Sequence, residues 1–195
     1  MANYPELFVL RHGQTEWNKI GKFQGIMNSD LTEMGRGQAR AQGRILNALA
    51  IDMADTNCFS SPLGRTRETA ALVLGDMDQP LWFDDRLKEI NFGRWEGLTL
   101  TELALGWPDA GIGGVGHDWY FKSPGGEGFA EMAARVQSFL DDLKGPAIIV
   151  THGITSLFLR GLWRGLSRDS MLAQSRDQGC VYHLSKGQEH CLWES

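Results

Sequence analysis

Phe8-Val9-Leu10-Arg11-His12-Gly13 near the start of the chain is matched late in the chain by Ile148-Ile149-Val150-Thr151-His152-Gly153. Each stretch is a short apolar run closed by His-Gly. Short, uniformly apolar runs read as buried strands, and strands covered on both faces belong to parallel sheets. If the two strands run parallel, both histidines emerge at one sheet edge. The carboxyl end of the strands is where open α/β sheets bind ligands. The glycine after each histidine lets the chain turn sharply and lets a ligand approach closely.

Helical patterns fill the space between these strands. Thr32 is placed to N-cap a helix from about 33 to 50, with Ala39, Ile45, Leu46 and Leu49 toward a core. Pro62 suits the first turn of a helix over about 63–74, stopped by Gly75. Thr99 and Glu102 match a capping box before a short helix ended by Pro108. Phe129, Met132, Val136, Phe139, Leu140 and Leu143 recur at helical spacing, and 154–164 reads as a helix after the second strand. The tail at 180–194 alternates around Lys186-Gly187 as a hairpin at the sheet edge, an edge that offers pairing to a homodimer partner. Strands alternating with helices predict an α/β fold, a three-layer sandwich with a mostly parallel central sheet flanked by helices.

The 195 residues predict one domain over 1–195, with no repeat, linker or low-complexity tract. Residues 106–128 are unusual: eight glycines stand among Trp107, Trp119, Tyr120 and Phe121. A long loop of this kind reads as a lid-like substrate loop, its aromatics offering an apolar face to a ring-bearing ligand. The net charge of −5 gives no bulk reason to bind nucleic acid or an anionic membrane. Three cysteines without a CxxC argue against a disulfide framework or a cysteine zinc site. The start lacks a basic n-region and a long apolar segment, so the expected setting is cytoplasmic.

Two histidines at one sheet edge admit three roles: metal ligands, hydrogen-bonded structural groups, or phosphoryl-transfer groups. Zinc would need a third ligand, and H-E-x-x-H spacing is absent. The arginines favour phosphoryl chemistry. Arg11 adjoins His12, while Ser60-Ser61-Pro62-Leu63-Gly64-Arg65-Thr66-Arg67 puts two more at the start of a helix. Helix N-termini attract anions, and a guanidinium fork can bond two phosphate oxygens at once. Arg67, Arg40 and Arg44 fit a solvated surface.

Leu10-Arg11-His12-Gly13-Gln14-Thr15-Glu16-Trp17-Asn18 resembles the opening motif of the histidine phosphatase superfamily, the phosphoglycerate-mutase-like proteins. The resemblance continues in the family's order through Gln24-Gly25, residues 30–35, residues 60–66, Glu89-Ile90-Asn91-Phe92-Gly93-Arg94-Trp95-Glu96-Gly97 and Thr151-His152-Gly153. It implies that His12 is the nucleophile that becomes phosphohistidine. By the same resemblance Arg11, Arg65 and His152 complete the phosphate pocket, and Asn18, Gln24 and Gly25 add phosphate or substrate contacts. Glu89 matches the proton donor of the phosphatase branch. That role needs the acid form, which burial or a nearby phosphate would favour; otherwise Glu89 is a surface acid paired with Lys88 or Arg86. Gly125-Gly126-Glu127-Gly128 resembles a phosphatase-branch motif except that Gly128 replaces a serine. There Glu127 would cap the next helix or orient the pocket.

The implied activity is hydrolysis of a small phosphomonoester such as a sugar phosphate, a phosphoglycerate or α-ribazole phosphate. No metal or organic cofactor is implied, because arginines take the place of a magnesium clamp. The alternatives are mutase-type transfer and a phosphate-binding module with little turnover. Residues 103–116 carry almost no Lys or Arg, unlike the basic insertion of the glycolytic mutases, and Ile154 stands where those mutases commonly have Asn. Both departures favour hydrolysis. His117 lies in the glycine-rich loop as a substrate contact, and His183 and His190 read as strand residues.

Overall fold

The computed structural model describes residues 4–49, 51–75, 79–114 and 117–194. In chain order they form β1 (Leu7–Arg11), α1 (Glu16–Lys19), α2 (Glu33–Ala48), β2 (Asn57–Ser60), α3 (Gly64–Leu74), β3 (Leu81–Phe83), α4 (Leu100–Gly106), α5 (Phe129–Asp142), β4 (Ala147–Thr151), α6 (Gly153–Arg164), α7 (Arg168–Leu172), β5 (Val181–Ser185) and β6 (Gln188–Leu192). The six strands make one sheet in the order β3-β2-β4-β1-β5-β6. The pairs β3-β2, β2-β4 and β4-β1 are parallel, and β5 and β6 add an antiparallel hairpin at one edge.

Alternate residues of each strand face opposite layers, as the pleat requires. Leu7, Val9, Ala147, Ile149, Tyr182 and Leu184 pack with Val136, Phe139 and Leu140 of α5 and Leu157 and Phe158 of α6. Phe8, Leu10, Cys58, Ile148, Val150 and Val181 pack with Ala39, Ile45 and Leu46 of α2 and Ala70 and Val73 of α3. The result is the three-layer sandwich expected from the sequence. No described helix is long and apolar enough to cross a membrane.

Local signals set most helix ends. Thr32 Oγ1 accepts the Gly35 N–H at 3.0 Å, starting α2. Thr99 and Glu102 form the reciprocal capping box of α4. Two expectations shift. Pro62 lies outside the first turn, because Leu63 is the N-cap and α3 begins at Gly64. Leu49 is exposed just past the end of α2 instead of facing the core.

The loop at 106–128 is more anchored than its glycine content suggests. It contains 3-10 turns at Pro108–Ala110 and Asp118–Phe121. Trp119 and Tyr120 are buried in the larger core cluster, with Trp107, Ile112 and Phe121 packed against it. Val115 and Gly116 lie outside the described residues.

One close approach fixes the β1–α1 turn against α2. A Cβ on Gly13 would lie 2.1 Å from the Gly35 carbonyl oxygen, and one on Gly35 would lie 2.1 Å from the Gln14 carbonyl oxygen. Both obstacles are backbone. Gly35→Ala is therefore expected to lower the urea midpoint by the equivalent of about 1–3 kcal/mol, as overpacking does. Gly37→Ala, on the same helix with nothing within 4 Å of the added Cβ, should be neutral or stabilising by up to about 1 kcal/mol. Equal effects of the two substitutions would contradict the close-packing account.

Candidate active site

The parallel register of β1 and β4 places Arg11 opposite Thr151. The next residue in each strand's exit is a histidine. The His12 N–H donates to the Thr151 carbonyl at 2.9 Å, extending the ladder by one rung. The two imidazoles end 5.3 Å apart between centroids, at an interplanar angle of 62°. Both are buried.

His12 Nδ1 lies 2.7 Å from the Gly13 carbonyl oxygen. A carbonyl can only accept, so Nδ1 carries the proton and Nε2 keeps its lone pair. The Arg65 Nε–H donates to His12 Nε2 at 3.3 Å. Burial holds His12 well below the usual imidazole value, helped by the charges of Arg65 and Arg11. His152 is lowered in the same way, by burial first and then by Arg65, His12, Arg135 and Arg11. His152 Nε2 lies 2.8 Å from Ser61 Oγ.

Arg65 sits in the first turn of α3, 1% exposed. Its Nη1 donates to the Met27 carbonyl at 2.6 Å and its Nη2 to the Gly25 carbonyl at 2.8 Å. The fork thus braces the 25–27 turn. Burial lowers Arg65 to about 10, partly offset by Glu89, which leaves it charged at neutral pH. Arg11 is lowered by burial, against the raising effect of Glu89. Its Nη1 donates to the Arg176 carbonyl.

Glu89 is no surface acid. Its carboxylate accepts the N–H groups of Ile154 and Thr155, both at 3.1 Å, and the Thr155 hydroxyl at 3.2 Å. These donors come from the first turn of α6, where an anion is favoured. The alternative partners are engaged elsewhere: Lys88 pairs with Asp85, and Arg86 with Asp84 and Asp142. Glu127 does not cap α5, since Glu131 accepts the Gly128 N–H. Instead Glu127 pairs with Arg135 and accepts the Asn91 N–H, while Arg135 donates to the Arg86 carbonyl. The pair clasps both ends of the segment that carries Glu89.

Arg11, His12, Asn18, Gln24, Gly25, Arg65 and Glu89 all line one cavity of about 590 Å³. His152 stands behind His12 instead of on the wall. Asn18 shapes the wall through its own contacts, accepting the Thr15 N–H and the Gln178 amide. Gln24 donates to Thr15 Oγ1 at 2.8 Å. Gly25 has φ +54° and turns its carbonyl to Arg65. Of the loop aromatics only Tyr120 reaches the cavity. Trp119 packs in the core and Trp107 and Phe121 against it, and none of the three lines the cavity. His117 is likewise not on the wall; it stacks on Tyr120 with centroids 5.5 Å apart. Sequence reasoning missed the 174–177 segment and Ser61. Arg176 follows no motif, whereas Ser61 stands inside one. Among the described residues, no group of three His, Cys, Asp or Glu side chains gathers to hold a metal.

Comparison with known proteins agrees with this architecture. The family model described as the histidine phosphatase superfamily, branch 1, matches residues 7–195, and the chain belongs to that superfamily. It is 29% identical over 154 residues to phosphoserine phosphatase 1 of Hydrogenobacter thermophilus, covering 76% of this chain and 71% of that one. It is 31% identical over 192 residues to a 2,3-bisphosphoglycerate-dependent phosphoglycerate mutase of Beijerinckia indica, covering 91% of each. Among solved structures, the α-ribazole phosphatase of Shigella flexneri superimposes with a TM-score of 0.81 at 28% identity, over 97% of this chain and 96% of that one. A mycobacterial glucosyl-3-phosphoglycerate phosphatase gives 0.80 at 26% identity, over 98% and 99%.

The lowered histidines make stability depend on pH. With a folded value below the unfolded one, the unfolded chain binds the protons. Stability is then full above about pH 6.5 and falls as pH drops below it, by up to ~1.4 kcal/mol per pH unit for each histidine. Urea midpoints in phosphate-free buffer should decline from pH 7 to pH 5, and the decline should be shallower in His12→Gln. Parallel slopes for the two proteins would contradict the assignment of His12 as a buried neutral group.

Proposed function

We propose that the protein hydrolyses small phosphomonoesters through a phosphohistidine on His12. The observation that carries this reading is the neutral Nε2 of His12, flanked by Arg65 and opening with Arg11 and Glu89 onto one cavity. Nε2 attacks phosphorus in line with the ester oxygen. The P–N bond forms as the P–O bond breaks, and Glu89, having taken a proton from solvent as the phosphate dianion binds beside it, gives that proton to the departing alkoxide. Water then attacks the phosphohistidine, its proton passes to the Glu89 carboxylate, and inorganic phosphate leaves.

Arg11 and Arg65 offset charge on the equatorial oxygens. Behind them His152, whose Nε2 lies 2.8 Å from Ser61 Oγ, has its Nδ1 buried without a hydrogen-bond partner among the described residues. Arg11 Nε and Gln24 Oε1 are also buried without partners. Buried polar atoms are ordinarily satisfied, and because Arg11 and Gln24 line the cavity their unpaired atoms support a bound polar ligand there. Hydrolysis is favoured over mutase-type transfer because residues 100–114 place no cation on the cavity wall.

His12→Ala should fold and lose at least ~10³-fold in phosphate release; a folded variant with wild-type rate would overturn the nucleophile. Glu89→Gln should slow alkyl phosphates by ~10²–10⁴-fold and p-nitrophenyl phosphate much less, since a good leaving group needs little protonation. Equal slowing of both esters would count against proton donation.

A further inference from the structure

Four cations line the cavity, namely Arg11, Lys22, Arg65 and Arg176, against the carboxylates of Glu89 and Asp177. The excess stands in a chain whose net charge is −5. Neither acid forms an ion pair with any of the four, although Glu89 is near enough to raise Arg11 and Arg65. Glu89 is bound by the first turn of α6, and Asp177 accepts the Ser175 hydroxyl. None of the ion pairs among the described residues includes any of the four cations. Arg11 and Arg65 flank His12 and serve the transferred phosphoryl group. Lys22 turns toward the Trp17 ring, 5.6 Å from its centroid.

Arg176 remains, and it is held in place. Its Nη1 donates to Tyr120 Oη at 2.8 Å, with the guanidinium 5.4 Å from that ring's centroid. Tyr120 is itself fixed, 6% exposed, packed on Trp119 at 4.2 Å and stacked on His117. The Arg176 carbonyl accepts from Arg11, which ties this segment to the phosphate pocket. A guanidinium has five N–H donors in a rigid plane, and only one is used by Tyr120. A neutral alcohol in the cavity would cover this charge without pairing it, an arrangement that binding sites reject.

We propose that Arg176, positioned by Tyr120, is a second anion site for the leaving group, so that the preferred ester carries a carboxylate or a further phosphate on its alcohol part. The proposal rests on the hydrolytic reading and adds the substrate's chemistry to it. The test compares kcat/KM for matched pairs: 3-phosphoglycerate against glycerol 3-phosphate, and fructose 1,6-bisphosphate against fructose 6-phosphate. The wild type should prefer the anionic member of at least one pair by 10-fold or more, and the favoured pair identifies the anion. Arg176→Gln should reduce that preference at least 10-fold, chiefly through KM, with partial retention in Arg176→Lys and a smaller loss in Tyr120→Phe. No preference in either pair, or a preference unchanged in Arg176→Gln, would overturn the proposal. If no ester is turned over, the hydrolytic reading fails by itself. Calorimetric binding of 3-phosphoglycerate and glycerol 3-phosphate to the wild type then decides the anion site: 10-fold tighter binding of the former supports it, and equal binding overturns it.

Discussion

The hydrogen bond from the His12 N–H to the Thr151 carbonyl is the last rung between β1 and β4, and the site is organised around it. A slip of one residue would turn His12 to the opposite layer, because side chains alternate along a strand. The register pairs Leu7–Leu10 with Ala147–Val150, both runs buried on their two faces. Neighbouring β2 contributes to the same edge, where the Ser61 N–H donates to the Val150 carbonyl and its side chain meets His152. Strand pairing thus positions three polar side chains that have no need to find one another.

Charge and burial are balanced within this frame. Two imidazoles stay neutral beside two guanidiniums, because desolvation and the arginines act in the same direction on them. Arg11 and Arg65 stay charged because the nearby Glu89 carboxylate works against burial on both, while carbonyls of Arg176, Gly25 and Met27 accept their N–H groups. Carbonyl dipoles satisfy a guanidinium without cancelling its charge, which leaves the field available to an anion. Pairing the same arginines with carboxylates would have removed it.

The sheet's central strands and the large helices were legible because their apolar patterns are strong and local. β2 and β3 were not. Asn57-Cys58-Phe59-Ser60 has polar ends, and β3 is three residues with Trp82 and Phe83 exposed. α1 is four residues held by the Thr15–Asn18 capping box, with no buried residue to give it a period. In the site, His12, Arg11, Arg65, Glu89 and His152 could be named from ordered motifs. The ties of Arg65 to the Gly25 and Met27 carbonyls could not, because backbone acceptors leave no trace in residue identity. Arg176 was invisible for a related reason: tertiary packing of the 174–177 segment beside Arg11 brings it in, and no local pattern announces it.

Arg65 joins two jobs that are usually assigned to separate residues. Its guanidinium faces His12 and also fastens the 25–27 turn, while its own N–H donates to the Asn28 side chain. A lysine could supply the charge but not three nitrogens fixed in one plane. The wall of the cavity and the arginine therefore form one mechanical unit, and a defect measured after replacing this side chain reports loop disorder together with lost charge.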